Sequence, residues 1–172
     1  MRGASAGLAA AIGTAALALA ATAALAGDNY ATERKAITLS PAQTQFILRC
    51  GGCHGTLGES PQKSVPTLRR SVGYFLCTPE GRDYIARLPN VSRSPLTDQQ
   101  LTDVINWVAF ELGEHSAPAG AVRYTVEEIA AARARPLHAP ALNDYRRGIV
   151  TKLVKSCGAP RAMLEYGRPR KL

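Results

Sequence analysis

Methionine, histidine and acidic residues are scarce in this chain. Its 172 residues hold two methionines, three histidines and four cysteines, and 13 acids stand against 21 lysines and arginines. Four cysteines are too few for a disulfide scaffold of this length, so each has to be accounted for separately. Gly 15 and Pro 11 exclude a collagen-like or low-complexity protein. Aromatics make up only 6%. A hydrophobic share of 46% with 20% charge excludes a wholly disordered chain. No run alternates apolar and polar residues as a half-buried strand does, so the expected fold is all-α. There is no internal repeat, and the length allows one ordinary domain, or a small domain with an appendage.

The N-terminus has little charge. Arg2 is the only charged residue before Asp28, and an Ala/Leu-rich stretch runs between them to Ala24-Leu25-Ala26. A positive start, an apolar middle and a small-residue end form the layout of a secretory signal. Residues 1–26 are therefore expected to be cleaved after Ala26, with residues 27–39 as a lead-in. The alternative is an uncleaved anchor facing the periplasm, but the Ala, Gly and Thr content makes it a weak one. The expected location is the periplasm, an oxidising compartment, and this bears on the cysteines.

The chemistry concentrates at Arg49-Cys50-Gly51-Gly52-Cys53-His54-Gly55. C-x-x-C-H reads as covalent c-type haem attachment. Two thiols three positions apart on one helical turn can each add to a vinyl group on one haem edge. The adjacent histidine then supplies an axial imidazole to the iron. Gly51 and Gly52 carry no side chain to obstruct the porphyrin. A structural zinc half-site would need a second Cys or His pair, which the sequence lacks. A redox dithiol needs no following histidine and usually opens a helix in a βαβ setting, which is also missing. The implied cofactor is one covalent haem c with its iron.

These residues carry a wider resemblance. Cys50 to Gly55 followed by Gly58 is similar to the C-x-x-C-H-G-x-x-G pattern of the class I cytochrome c family. Val65-Pro66-Thr67-Leu68 resembles that family's P-x-L segment. Leu96-Thr97-Asp98-Gln99-Gln100-Leu101 with Asn106-Trp107-Val108 looks like its last core helix. The resemblance spans about residues 40 to 112. It implies a cytochrome c-like helical haem domain over residues 40–115. In it the Pro66 carbonyl would accept a hydrogen bond from His54 and fix its tautomer, and Trp107 would pack near the first helix and the haem.

Local signals fit helices. Ser40-Pro41-Ala42-Gln43 is a capping box with proline at the first helical position, opening a helix to about Cys50 with Phe46 and Ile47 inward. Gly55 to Ser71 reads as a loop wrapping the haem. Thr78-Pro79-Glu80 opens a short helix to about Leu88. Thr97 to Gln100 is a second capping box, and Leu101, Val104, Ile105, Val108 and Leu112 share one face of the helix after it.

The family's loop methionine is missing. Leu88 to Leu96 contains neither methionine nor histidine, and Met1 is expected to leave with the signal. The sixth iron position is then open, or filled by Met163, His115, His138 or Lys63. A thioether ligand raises a haem potential, whereas nitrogen or oxygen ligation lowers it.

Residues 116–158 form an expected helical extension. Thr125-Val126-Glu127-Glu128 is a third capping box, and a last helix runs from about Asp144 to Cys157 with Gly158 as its stop. Residues 159–172 read as a basic tail, mobile at least at its end. Cys77 and Cys157 are left over, either bonded to each other or both free. The basic surface, at a net charge of +8, fits docking to a redox protein with an acidic face. Nucleic acid is not expected as a partner of an exported chain, and membrane contact is allowed but not required. Three functions stay open: a monohaem electron carrier without substrate turnover, a five-coordinate haem protein binding gas or peroxide, and a fixed haem subunit of a dehydrogenase complex.

Overall fold

In a computed structural model the described residues are 38–60, 65–138, 140 and 142–166. They fold all-α, and those from Leu39 onward belong to one compact unit. The expected signal and lead-in, residues 1–37 above all, lie outside the described residues. Among the described residues no helix is long and apolar enough to cross a membrane.

Helix α1 spans Pro41–Arg49, and the short α2 spans Gly51–His54. A 3-10 turn follows at Val72–Cys77, then α3 at Pro79–Arg87 and a single turn, α4, at Pro89–Ser92. Helix α5 spans Asp98–Asn106 and continues as a π turn, Trp107–Leu112, where the Gly113 N–H reaches back five residues to the Val108 carbonyl. Helix α6 is Val126–Arg133 and α7 is Leu142–Ser156, followed by a 3-10 turn at Arg161–Leu164.

Each expected cap forms. The Ser40 and Thr78 hydroxyls accept from the Gln43 and Gly81 N–H groups, and proline stands in the first turn of both helices. These caps satisfy donors that a helix start otherwise leaves open. At Thr97 the box is reciprocal, with the Gln100 side chain accepting from the Thr97 N–H. At Ser40 and Thr125 only the hydroxyl half of the box forms, and at Thr125 the Glu128 carboxylate is taken by Arg82.

Packing of α1 against α5 and of α3 against α6 builds the core, and α7 lies on α3 and the Val72–Cys77 turn. Phe46, Ile129, Val150 and Leu153 lose all solvent contact. These four come from α1, α6 and α7, so one apolar core runs through both the expected haem domain and the extension.

Polar contacts knit the extension to the rest. The buried Asn106 amide accepts from the Tyr124 N–H and donates to the Tyr124 carbonyl, at 2.8 and 3.0 Å. An Asn106→Ala substitution strands both backbone groups away from water, and is expected to cost about 2 kcal/mol in urea unfolding. A cost below about 0.5 kcal/mol would show that the pair is dispensable. Arg82 lies over the Tyr124 ring at 3.9 Å and donates to the Val122 and Arg123 carbonyls.

The expected mobile end of the tail, residues 167–172, lies outside the described residues; before it Ala159 and Met163 are buried, because Arg161–Leu164 turns back onto α7. One expectation is corrected. Leu88 to Leu96 is not all loop, since Pro89 starts the turn α4. Cys77 and Cys157 are joined by a disulfide across 80 residues of sequence.

Candidate functional site

The Cys50–His54 turn begins where α1 ends. The Cys50 carbonyl accepts from the N–H groups of Cys53 and His54, winding α2 so that the two cysteines sit one turn apart. The chain must then reverse at once. Gly55 and Gly58 both have positive φ, +74° and +73°, and a Cβ on Gly58 would lie 2.5 Å from a Leu112 methyl. The positive φ favours glycine at both positions, and a side chain at Gly58 would also have to displace Leu112. The reversed loop is held by the Gly58 carbonyl, which accepts from the Leu68 and Arg69 N–H groups. Arg69 and Arg70 clamp its far side to Glu114.

That reversal delivers Pro66 to His54. The His54 Nδ1 lies 2.9 Å from the Pro66 carbonyl oxygen. A carbonyl only accepts, so Nδ1 carries the proton and Nε2 keeps its lone pair. Burial pushes the His54 pKa down against a smaller upward pull from the Pro66 contact, which favours the neutral ring. A neutral imidazole with an oriented Nε2 is the ligating form.

His54, Cys50 and Pro66 line a cavity of about 490 Å³. This volume falls within the range of small-molecule and cofactor sites. Phe46, Val72, Phe75, Ile85, Leu101 and Val104 supply apolar walls. Burial, with Cys53 adding to it, pushes the Cys50 thiol up, so it stays protonated. Cys53 is exposed and is not a lining residue. Both thiols are free.

A haem fits this donor set. The site offers two thiols at the spacing that vinyl attachment needs, one oriented imidazole beside them, and an apolar chamber. Ser94 Oγ is buried on the cavity wall without a hydrogen-bond partner among the described residues. Among those residues no three His, Cys, Asp or Glu side chains gather as a metal cluster. A four-ligand zinc site is therefore not assembled around Cys50 and Cys53 there.

The remaining sequence candidates fall elsewhere. Trp107 packs on Phe46, ring centroids 5.2 Å apart, and stands behind the lining. Met163 is buried in the core but is not a lining residue, because its turn folds onto α7. His115 is 77% exposed, with Glu114 its nearest acid at 4.0 Å. His138 is exposed at the end of the segment after α6. Lys63 lies outside the described residues. Among the described residues no methionine, and no histidine other than His54, lines the cavity.

No family model, curated protein or solved structure matches this chain. One lining feature had no sequence signal: Arg146, reaching in from α7. Residues 88–96, where the resemblance placed the ligand-bearing loop, build one wall of the cavity. That wall is fastened by Arg133 of α6, which donates to the Ser92, Ser94 and Leu96 carbonyls and to the Asp98 carboxylate. Neither arginine shows its role in local spacing, because each acts on residues far away in sequence.

Proposed function

We propose that this protein is an exported monohaem c-type cytochrome-like protein that carries single electrons between redox proteins. The supporting observation is the His54 Nδ1 contact with the Pro66 carbonyl at the edge of an apolar cavity that Cys50 also lines. In this reading Cys50 and Cys53 hold the haem through thioethers and His54 ligates the iron through Nε2. Pro66 holds the imidazole tautomer and ring orientation. A bound haem supplies one-electron Fe(III)/Fe(II) cycling. The apolar walls exclude water, which limits the reorganisation that accompanies electron transfer. The Cys77–Cys157 bond fits the oxidising compartment expected for an exported chain. The basic balance steers the protein toward an acidic partner face, an attraction that salt weakens.

A second reading has its own support. With no thioether and no second imidazole among the described lining residues, the iron of a bound haem would be free to take a small exogenous ligand. In that case the protein binds gas or peroxide at the iron.

The test is expression of the full chain with a haem-attachment system, followed by a denaturing gel stained for haem and optical spectra. The expected result is one covalent haem in the wild type and none in a Cys50→Ser/Cys53→Ser variant. Haem-free wild type under conditions that load another c-type protein would overturn the proposal. Addition of carbon monoxide to the reduced protein separates the two readings. A spectrum that does not move supports the carrier with a filled sixth position, and rapid binding supports the ligand-binding protein.

A further inference from the structure

Arg146 is an unusual side chain for a cavity wall. It is 7% exposed and projects from α7 into the lining otherwise dominated by apolar residues. Its Nη1 donates to the Met163 carbonyl at 3.1 Å. The guanidinium lies 4.5 Å from the Tyr166 ring centre and 5.7 Å from that of Phe75. Tyr84 also borders it, and burial pushes the Tyr84 phenol up to about 12, so it brings no charge at neutral pH. Among the described residues no carboxylate pairs with Arg146, and burial lowers its pKa.

The contrast with the other arginines is sharp. Arg69, Arg82, Arg87 and Arg133 each meet an acid. Arg49 and Arg93 also border the cavity, but both are exposed and solvated. A buried guanidinium is expensive unless it is paired, and arginine does not shed its proton to escape the cost. Five N–H donors arranged as a fork match a carboxylate or a similar anion. One donor is used on Met163, and on the same lining the buried Ser94 Oγ has no hydrogen-bond partner among the described residues.

We infer that Arg146 is the anion-binding residue of the cavity, pairing with a negatively charged group of whatever occupies it. The inference rests on the haem reading for the identity of the occupant. The anion then has two sources: a haem propionate carboxylate, or a free small anion drawn to the iron. Either way, the last helix contributes an electrostatic contact to a site whose attachment residues lie near the start of the described chain.

The test uses haem-loaded full-length protein as wild type, Arg146→Gln and Arg146→Lys. Circular dichroism and a non-reducing gel first check the fold and the Cys77–Cys157 bond. Three quantities are then measured: the reduction potential, the pH at which the haem carboxyl groups titrate by NMR, and the affinity of the ferric protein for azide. With a propionate as partner, Arg146→Gln lowers the potential, because a cation that opposed the ferric charge is gone. It also raises the carboxyl titration by about one pH unit, and azide affinity stays unchanged. With a free anion as partner, azide affinity falls by about tenfold or more while the carboxyl titration does not move. Arg146→Lys keeps the charge and is expected to recover most of either effect. Should the Gln variant fold poorly, Arg146→Met, which keeps the apolar stem and removes the charge, carries the test with the same expected shifts. Folded variants with all three quantities at wild-type values overturn the inference. Wild type that takes up no haem overturns the haem reading instead, so the two failures are distinct.

Discussion

Removal of the Cys77–Cys157 bond, as Cys77→Ala/Cys157→Ala, is expected to lower the unfolding free energy by about 4.5 kcal/mol. The size follows from the closed loop. The bond spans 80 residues, and the conformational entropy that a crosslink withholds from the unfolded chain grows with the logarithm of that span. Such a loss is a large part of the total stability of an ordinary domain. Urea titration followed by circular dichroism measures it, with the slope checked for a change in the unfolded state. The effect is expected to concentrate on α7, whose end carries Cys157, and on the Val72–Cys77 turn. Amide exchange should therefore quicken first at Ile149, Val150 and Leu153, which are buried in the native protein. A loss below about 1 kcal/mol would show that packing alone holds α7 in place.

The second large effect concerns the wall opposite no single element but fixed by one residue. Arg133→Met is expected to cost about 3 kcal/mol, because bonds from a charged donor are worth more than neutral ones and do not add fully. The side chain is 23% exposed, so solvent only partly replaces its partners. The methionine keeps the apolar stem and the packing of α6, and removes only the four bonds to Ser92, Ser94, Leu96 and Asp98. Residues 92–98 should then exchange their amides faster while α1 and α2 keep their protection. If the protein takes up haem and its iron binds carbon monoxide, a freed wall should also speed that entry. Unchanged exchange in this segment would mean that α4 and Pro95 hold the wall without Arg133.

Much of the fold was legible where the signal is local. Ser40, Thr97 and Thr125 cap their helices because a hydroxyl three residues ahead of a free N–H needs nothing distant. Leu101, Val104 and Ile105 are buried, as their 3.6-residue spacing required. The 3-10 turn at Val72–Cys77 and the π turn at Trp107–Leu112 were not legible, since neither has the period that marks an α-helix. The order of Ala159 to Tyr166 was hidden for another reason. Its basic composition reads as solvated, whereas Ala159 and Met163 are drawn in by α7.

The site divides in the same way. Cys50, Cys53 and His54 are neighbours in sequence, so their chemistry is written in five residues. The His54–Pro66 contact was anticipated through a resemblance and has a geometric basis in the reversal at Gly55 and Gly58. Arg133 and Arg146 look like any surface cation on a helix. Only tertiary placement distinguishes them from Arg135 or Arg147, which are on the same two elements or just beyond them.

The disulfide also sets an order of events in time. A chain made and moved from its N-terminus presents Cys50, Cys53 and Cys77 long before Cys157 arrives. If the chain is exported as proposed, three thiols would share an oxidising medium during that interval, with no native partner among them for Cys77. Early capture of Cys50 and Cys53 by a cofactor removes two of the competitors and leaves Cys77 waiting for its proper mate. Delayed capture favours a premature bond within the first three, one that exchange must later undo. On the proposed haem reading, cofactor supply would therefore act as a proofreader of oxidative folding, and starvation for it would accumulate wrongly bonded chains before empty, correctly folded ones.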